Sequence, residues 1–165
     1  MPKVRLQRLD SSQSYLLQGI SVSTEQQALV STPDLEQFLA EAHLHPTYQP
    51  FGIYDGDDLV GLVSVGAEPG EPLVRRISLL VIDQKFQRRG FGRAAMNAVI
   101  ATESQGALPG STLTLGVHSA NRPAQRLYSA VGFAIGNVSN ASDELVATLH
   151  LTPQSEIQNP QSKIL

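Results

Sequence analysis

The chain has 165 residues, 41% of them hydrophobic and 16% charged, which suits one folded domain with a real core and not a disordered segment. A formal net charge of −3 argues against non-specific nucleic-acid binding and leans toward a cationic small-molecule partner. With no cysteine, disulfides, thiol nucleophiles and thiolate metal sites are excluded. No apolar stretch approaches the roughly 20 residues of a membrane span, and MPKVRLQRLD lacks a signal-peptide apolar region. The expectation is a cytoplasmic enzyme or binding module with no membrane and no nucleic-acid partner.

In chain order, KVRLQRL (3–9) alternates apolar and polar residues as a half-buried strand does. Residues 11–30 carry no clear pattern. STPDLEQFLAEAHLH (31–45) reads as a helix, started by Ser31, Thr32, Pro33 and Asp34 and with Leu35, Phe38 and Leu39 at helical spacing. Residues 51–65 read as two strands around a turn containing Asp-Gly, the strongest short-range hairpin signal in the chain. GAEPGEP (66–72) reads as a second turn, before a strand over 73–83. A helix follows over 90–103, opened by glycines, then a Gly/Pro loop (104–111) and the strand TLTLGVH (112–118). The helix PAQRLYSAV (123–131) ends at Gly132, a C-cap residue. FAIGNV and ELVATLHL read as a closing strand pair, and the tail 152–165 has lost its periodicity and is expected to be loose. The order β-α-α-βββ-α-β-α-ββ predicts a single mixed α/β domain over 1–151.

The stretch QRRGFGR (87–93) joins the strand ending at Asp83 to the helix. It fits three readings. One is a turning loop with solubilising arginines. Another is a dinucleotide fingerprint, since Gly90, Gly92 and Ala95 fit GxGxxA, but no second strand with an acidic residue follows about 20 positions on. In the third, backbone N–H groups from Arg88 to Arg93 face a pyrophosphate at the helix N-terminus, where the macrodipole favours anions. The glycines then permit close approach, and the arginines add charge.

The stretch from Ile82 to Arg93 resembles the acetyl-CoA motif of the GNAT N-acetyltransferases, Q/R-x-x-G-x-G/A after a central strand. A second block, Leu115 to Phe133, is similar to that family's L-x-V-x-x-x-N-x-x-A-x-x-L-Y-x-x-x-G-F. The resemblance spans roughly residues 3–150 and looks most like the bacterial spermine/spermidine acetyltransferase branch. It implies one mixed, mostly antiparallel twisted sheet of about seven strands with four helices, splayed at the two central strands. It implies acetyl-CoA as cosubstrate, direct attack by an amine without a covalent enzyme intermediate, and no metal.

By that resemblance, Leu80, Val81 and Ile82 would pair with the pantetheine arm, and Gln87, Arg88, Arg89, Gly90, Phe91, Gly92 and Arg93 would hold the pyrophosphate. Asn121 would contact the cofactor arm, although its place also fits a helix N-cap. Tyr128 would be the general acid that protonates the departing thiolate, with a packed structural tyrosine as the alternative. His118 is a candidate base with a suitable intrinsic pKa, and Asp83 a weaker one. His43 and His45 read as surface histidines, their spacing giving no convincing metal site. The acidic residues Glu36, Glu41, Asp55, Asp57, Asp58, Glu68 and Glu71 precede the cofactor strand, where they could draw in a polycation or simply be solvated turn residues. Arg76 and Leu79 stand where the polyamine branch places an aromatic and an arginine on the central strand, and Ser64-Val65 replaces a bulkier, aromatic-containing pair. The acceptor is therefore less defined than the donor. A primary amine of a small molecule, polyamines first, is the expectation, with a homodimer as an assembly common in the family.

Overall fold

Near-continuous apolar runs in the central strands give the chain a sheet that buries both faces. A computed structural model describes residues 2–23, 34–138 and 143–153. Its strands are β1 (Arg5–Arg8), β2 (Tyr48–Asp55), β3 (Asp58–Glu68), β4 (Glu71–Ile82), β5 (Thr112–His118), β6 (Ala134–Val138) and β7 (Glu144–His150). Its described helices are α1 (Leu35–Ala40), α2 (Phe91–Gln105) and α3 (Arg122–Ala130), with a nine-residue 3-10 helix, Ser11–Gly19, as a fourth helical element. The strands form one sheet in the order β1-β2-β3-β4-β5-β7-β6. Every neighbouring pair is antiparallel except β4 with β5.

Local chemistry explains most boundaries. The β2–β3 hairpin closes with Gly56 at φ 59 in the first central position, the arrangement of a II′ turn. The second turn is tighter than the run 66–72 predicts. β3 continues through Gly66 to Glu68, where Gly66 is required because a backbone carbonyl, Thr47 O, lies where its Cβ would stand. Only Pro69 and Gly70 turn, with Gly70 at φ 78. α1 is shorter than 31–45. Asp34 caps it by accepting from the Gln37 amide at 3.0 Å, and a separate 3-10 turn, Ala42–Leu44, follows. Residues 31–33, the expected start, lie outside the described residues, as does the tail beyond 153.

Two apolar clusters sandwich the sheet. Val63, Val65, Ile77, Leu113, Leu115 and Val117 pack beneath Phe91, Ala95, Met96 and Val99 of α2 and Tyr128 of α3. On the other face, Leu62, Leu79 and Val81 pack against Leu9, Leu17, Leu35 and Leu39. Burying each of these large side chains contributes about 1.5–3 kcal/mol. Burial on both faces explains why β3 reads as a continuous apolar run with no alternation.

Candidate active site

The parallel ladder between β4 and β5 runs from Val74–Thr112 to Ile77–Leu115 and stops there. Among the described residues, Ser78–Ile82 and Gly116–His118 form no ladder with each other, so the sheet parts at its centre. A bulge begins the parting: Val65 pairs with Ile77 but Ser64 with Leu79, leaving Ser78 as the extra residue. Bulges recur beside active sites because they bend and re-aim a strand.

A cavity of about 300 Å³ occupies this parting. Leu80, Val81, Ile82, Gln87, Arg88, Gly92, Asn121 and Tyr128, eight of the residues singled out by sequence, line it together. Pro123, Ala124 and Leu127 of α3 complete one wall and Val22 another. The remaining sequence candidates stand elsewhere. Arg89 places its guanidinium 5.4 Å from the Phe86 ring centre and 5.5 Å from that of Phe91, stacking beside the loop and not lining the cavity. Phe91 is buried in the core, and Arg93 is exposed.

The loop is shaped to converge its amides. Arg88 adopts φ 63, left-handed and unusual for a side-chain-bearing residue, and Gly90 adopts φ 86. Left-handed residues alternating with others curl successive N–H groups into an anion-binding hollow. The first described backbone bond of α2 runs from the Ala94 amide to Gly90 O at 3.0 Å. The amides of Phe91, Gly92 and Arg93 therefore have no intrahelical acceptor. Gln87 Nε2 donates to Ile82 O at 2.8 Å, tying the loop to the strand end. At Gly92 a Cβ would stand 3.2 Å from Leu127 Cδ2, so the wall is tight even for alanine.

Asn121 is the N-cap of α3, its side chain accepting from the Ala124 amide at 3.3 Å while also lining the cavity. Gln125 Nε2 donates to His118 O at 3.1 Å and to Ser119 O at 2.9 Å, fixing α3 against the end of β5. Tyr128 is 8% exposed and meets Phe133 edge-on at 6.0 Å. Burial pushes its phenol from about 10 up to about 12, because the phenolate would lose its hydration. The group is a proton donor throughout the neutral range.

His118 is half-buried at the end of β5 and does not line this cavity. Its Nδ1 accepts from the Ala120 amide at 3.0 Å, leaving Nε2 as the ring nitrogen open to proton transfer. Asp83 is 1% exposed and caps the next turn by accepting from the Lys85 amide at 3.2 Å. His43 Nδ1 lies 3.2 Å from Ser11 Oγ. No group of three or more potential metal ligands exists among the described residues, nor does any described helix have the length and apolarity to cross a membrane.

Sequence reading missed one pair. Arg76 Nη2 lies 3.6 Å from Glu144 Oε1, linking β4 to β7 across β5. The Glu144 carboxylate lies over Gly116, where any Cβ would collide with it. The only sequence signal was a glycine inside a strand, which marks a close approach without naming the partner.

An opened parallel pair beside a glycine-started helix is a site that can hold an extended, phosphate-bearing ligand. The sequence pattern of the acetyltransferase (GNAT) family matches residues 16–133, and the chain belongs to that family. It is an acetyltransferase by that membership. Among solved structures, it is similar to an acetyltransferase from Thermus thermophilus, with a TM-score of 0.73 and 23% identity over 90% of this chain and 97% of that one. It is also similar to the spermidine N-acetyltransferase from Vibrio cholerae in complex with CoA and spermine, at TM-score 0.67 and 18% identity over 94% and 98%. The ribosomal-protein-S18-alanine N-acetyltransferase from Escherichia coli matches at 0.62 and 19% over 90% and 92%. At these identities the likeness speaks for the fold. A comparison with curated protein sequences gave no match.

Proposed function

We propose that the chain transfers the acetyl group of acetyl-CoA to a primary amine of a small molecule, polyamines first, by direct attack. One observation carries this reading: the parted strand, the amide-lined loop and a protonated tyrosine share one cavity wall. Acetyl-CoA, when bound, supplies an activated thioester and a thiolate leaving group.

The residues present fit such a group. The amides of Phe91, Gly92 and Arg93, with Arg88, would hold the pyrophosphate by charge and backbone hydrogen bonds. Leu80, Val81 and Ile82 offer strand backbone to an extended arm, much as an edge strand pairs with a peptide. Asn121 lines the same cavity while its oxygen caps α3. Tyr128, a protonated phenol lining the cavity, would supply the proton that the departing thiolate takes up. An alkyl ammonium has an ordinary pKa near that of lysine, about 10, so the amine must lose a proton before attacking. His118 Nε2 or a water accepts that proton, and the chain, having no cysteine, offers no thiol for an acyl-enzyme.

The test is acetyl-CoA consumption followed by thiol release against spermidine, spermine, lysine, kanamycin and a short peptide with a free N-terminus. Release with spermidine or spermine supports the reading. Release with lysine, kanamycin or the peptide alone keeps the enzyme and moves the acceptor. Measurable acetyl-CoA binding with no release from any amine would instead mean a sensing module.

A further inference from the structure

An ammonium that must become a nucleophile needs a group to take its proton, and the neutral ring of His118 is wrongly arranged for that. An N–H donor must meet a lone pair, so the bond from the Ala120 amide to Nδ1 puts the ring hydrogen of neutral His118 on Nε2. That nitrogen can donate to a water but has no lone pair with which to accept. Of the two acceptors considered above, the water remains. A water passes a proton on only where a stronger base stands beside it.

The carboxylate of Glu144 stands in such a place. Leu115 and Val117 pack in the cluster beneath α2 and α3, so Gly116 and His118 face the other side of the sheet. Glu144 pairs directly with His118 in the β5–β7 register and shares that face. Its carboxylate lies back over Gly116, the first residue of β5 beyond the last β4–β5 ladder pair, Ile77–Leu115. Glycine is what admits it, because Glu144 Oε1 occupies the place of a Cβ there. Arg76 Nη2 lies 3.6 Å from the same oxygen and steadies it, while no bond to Oε2 is recorded among the described residues. Arg76 of β4 and His118 of β5 are the charged or titratable groups around Glu144 on this face among the described strands. The Glu144 side chain is 42% exposed, so its carboxylate also reaches solvent. Tyr128 approaches the same parting from the opposite face. A carbonyl displacement uses two such groups, one for the entering atom and one for the leaving atom.

We infer that Glu144 takes the proton given up by the acceptor ammonium, by way of a water to which His118 Nε2 donates. This rests on the acetyl-transfer reading above. The nitrogen loses two protons in all. The first passes through the water to Glu144 and from there to solvent, and the freed lone pair forms the C–N bond as the C–S bond breaks. Tyr128 gives its proton to the sulfur, and the second nitrogen proton restores the phenol. The products are the amide, the free thiol and one released proton.

The experiment measures kcat/KM from about pH 6.5 to about pH 9.5 with the amine of the panel above that releases thiol fastest, an amine whose own pKa is about 10. The full chain is compared with Glu144→Gln, which keeps the side-chain shape over Gly116, and with Arg76→Gln, which removes the ion pair and keeps the carboxylate. Acetyl-CoA affinity and Tm are measured alongside. Glu144→Gln should lower kcat/KM by about a hundredfold at neutral pH with acetyl-CoA affinity kept. The deficit should narrow as the pH nears that of the amine, because a neutral amine has no first proton to give. Arg76→Gln should change kcat/KM only a few-fold, as loss of an exposed ion pair does. A deficit equal at every pH, or one matched by Arg76→Gln, is the behaviour of a structural bridge; it overturns the inference and leaves acetyl transfer standing. So does an unchanged kcat/KM in Glu144→Gln. Should that variant fail to fold, Glu144→Ala is compared with Glu144→Ala plus Gly116→Asp, which returns a carboxylate from β5. Recovery of kcat/KM in the double variant supports the inference, and no recovery overturns it. No thiol release from any amine by the unaltered chain overturns the transfer reading and the inference with it.

Discussion

The cavity at the parting of β4 and β5 is walled by three consecutive strand residues, the loop at Gln87 and Arg88, and residues of two helices. The cavity beneath α1 is walled by side chains from α1 and the residues flanking it, His45 among them, and from β2, β3 and β4. In the proposed reading the first holds acetyl-CoA largely through backbone, whose amides are fixed by the fold. The second is lined by side chains that can change without disturbing any ladder. Donor recognition, on that proposal, is tied to the architecture. Substitutions on one side should leave the other side's binding intact, and the predictions below test that separation.

The sharpest break is Gly92→Asp. A carboxylate set against the anion hollow should weaken acetyl-CoA binding by roughly a hundredfold or more, read by calorimetry, while spermidine binding persists. Gly92→Ala separates crowding against Leu127 from charge and should cost much less. Acetyl-CoA affinity preserved in the aspartate variant would remove the loop from the donor site. Tyr128→Phe should lower kcat by about a hundredfold with little change in acetyl-CoA affinity. An unchanged kcat would return this tyrosine to a packing role.

The same tyrosine sets a pH signature. Its folded value of about 12 lies above the ordinary value near 10, so burial favours the neutral phenol. The unfolded chain ionises first as pH rises. Stability from this group is complete below about pH 10 and is lost as pH climbs through about 12, by about 2.5 kcal/mol. Denaturant unfolding at pH 8 and pH 11 should show a steeper alkaline decline in the wild type than in Tyr128→Phe. Equal declines would mean that the phenol is hydrated. The smallest effect belongs to Asn121→Ala. Loss of the α3 cap costs about 1 kcal/mol, or about 2–4 °C in Tm, together with weaker acetyl-CoA binding. A fall in Tm without any change in binding would confine Asn121 to its capping role.

How far each site could be read from sequence follows from the same contrast. The donor loop and α3 are contiguous stretches, so QRRGFGR and the block from Leu115 to Phe133 carried their geometry in local spacing. Hairpin and helix starts were legible for the same reason: Asp-Gly and Asp34 act on neighbours within a few residues. Ser64 and Ser78 share a floor only through the β3–β4 register and one bulge, which no short window encodes. Of the acidic residues expected to draw in a polycation, Glu41 alone lines the second cavity, joined by Asp34, which the sequence offered as a helix start. Asp55, Asp57 and Asp58 belong to the end of the β2–β3 hairpin. Arg76 and Glu144, 68 positions apart in the chain, meet only because β7 lies beside β5.

The central claim is that acetyl-CoA and the amine are bound together and react directly, with no acyl-enzyme between them. Initial rates measured while acetyl-CoA and spermidine are varied against each other test it most directly. Double-reciprocal lines that intersect are the predicted result, since both ligands must be bound before transfer. Parallel lines, with acetyl label retained on the protein after acetyl-CoA alone, would contradict it.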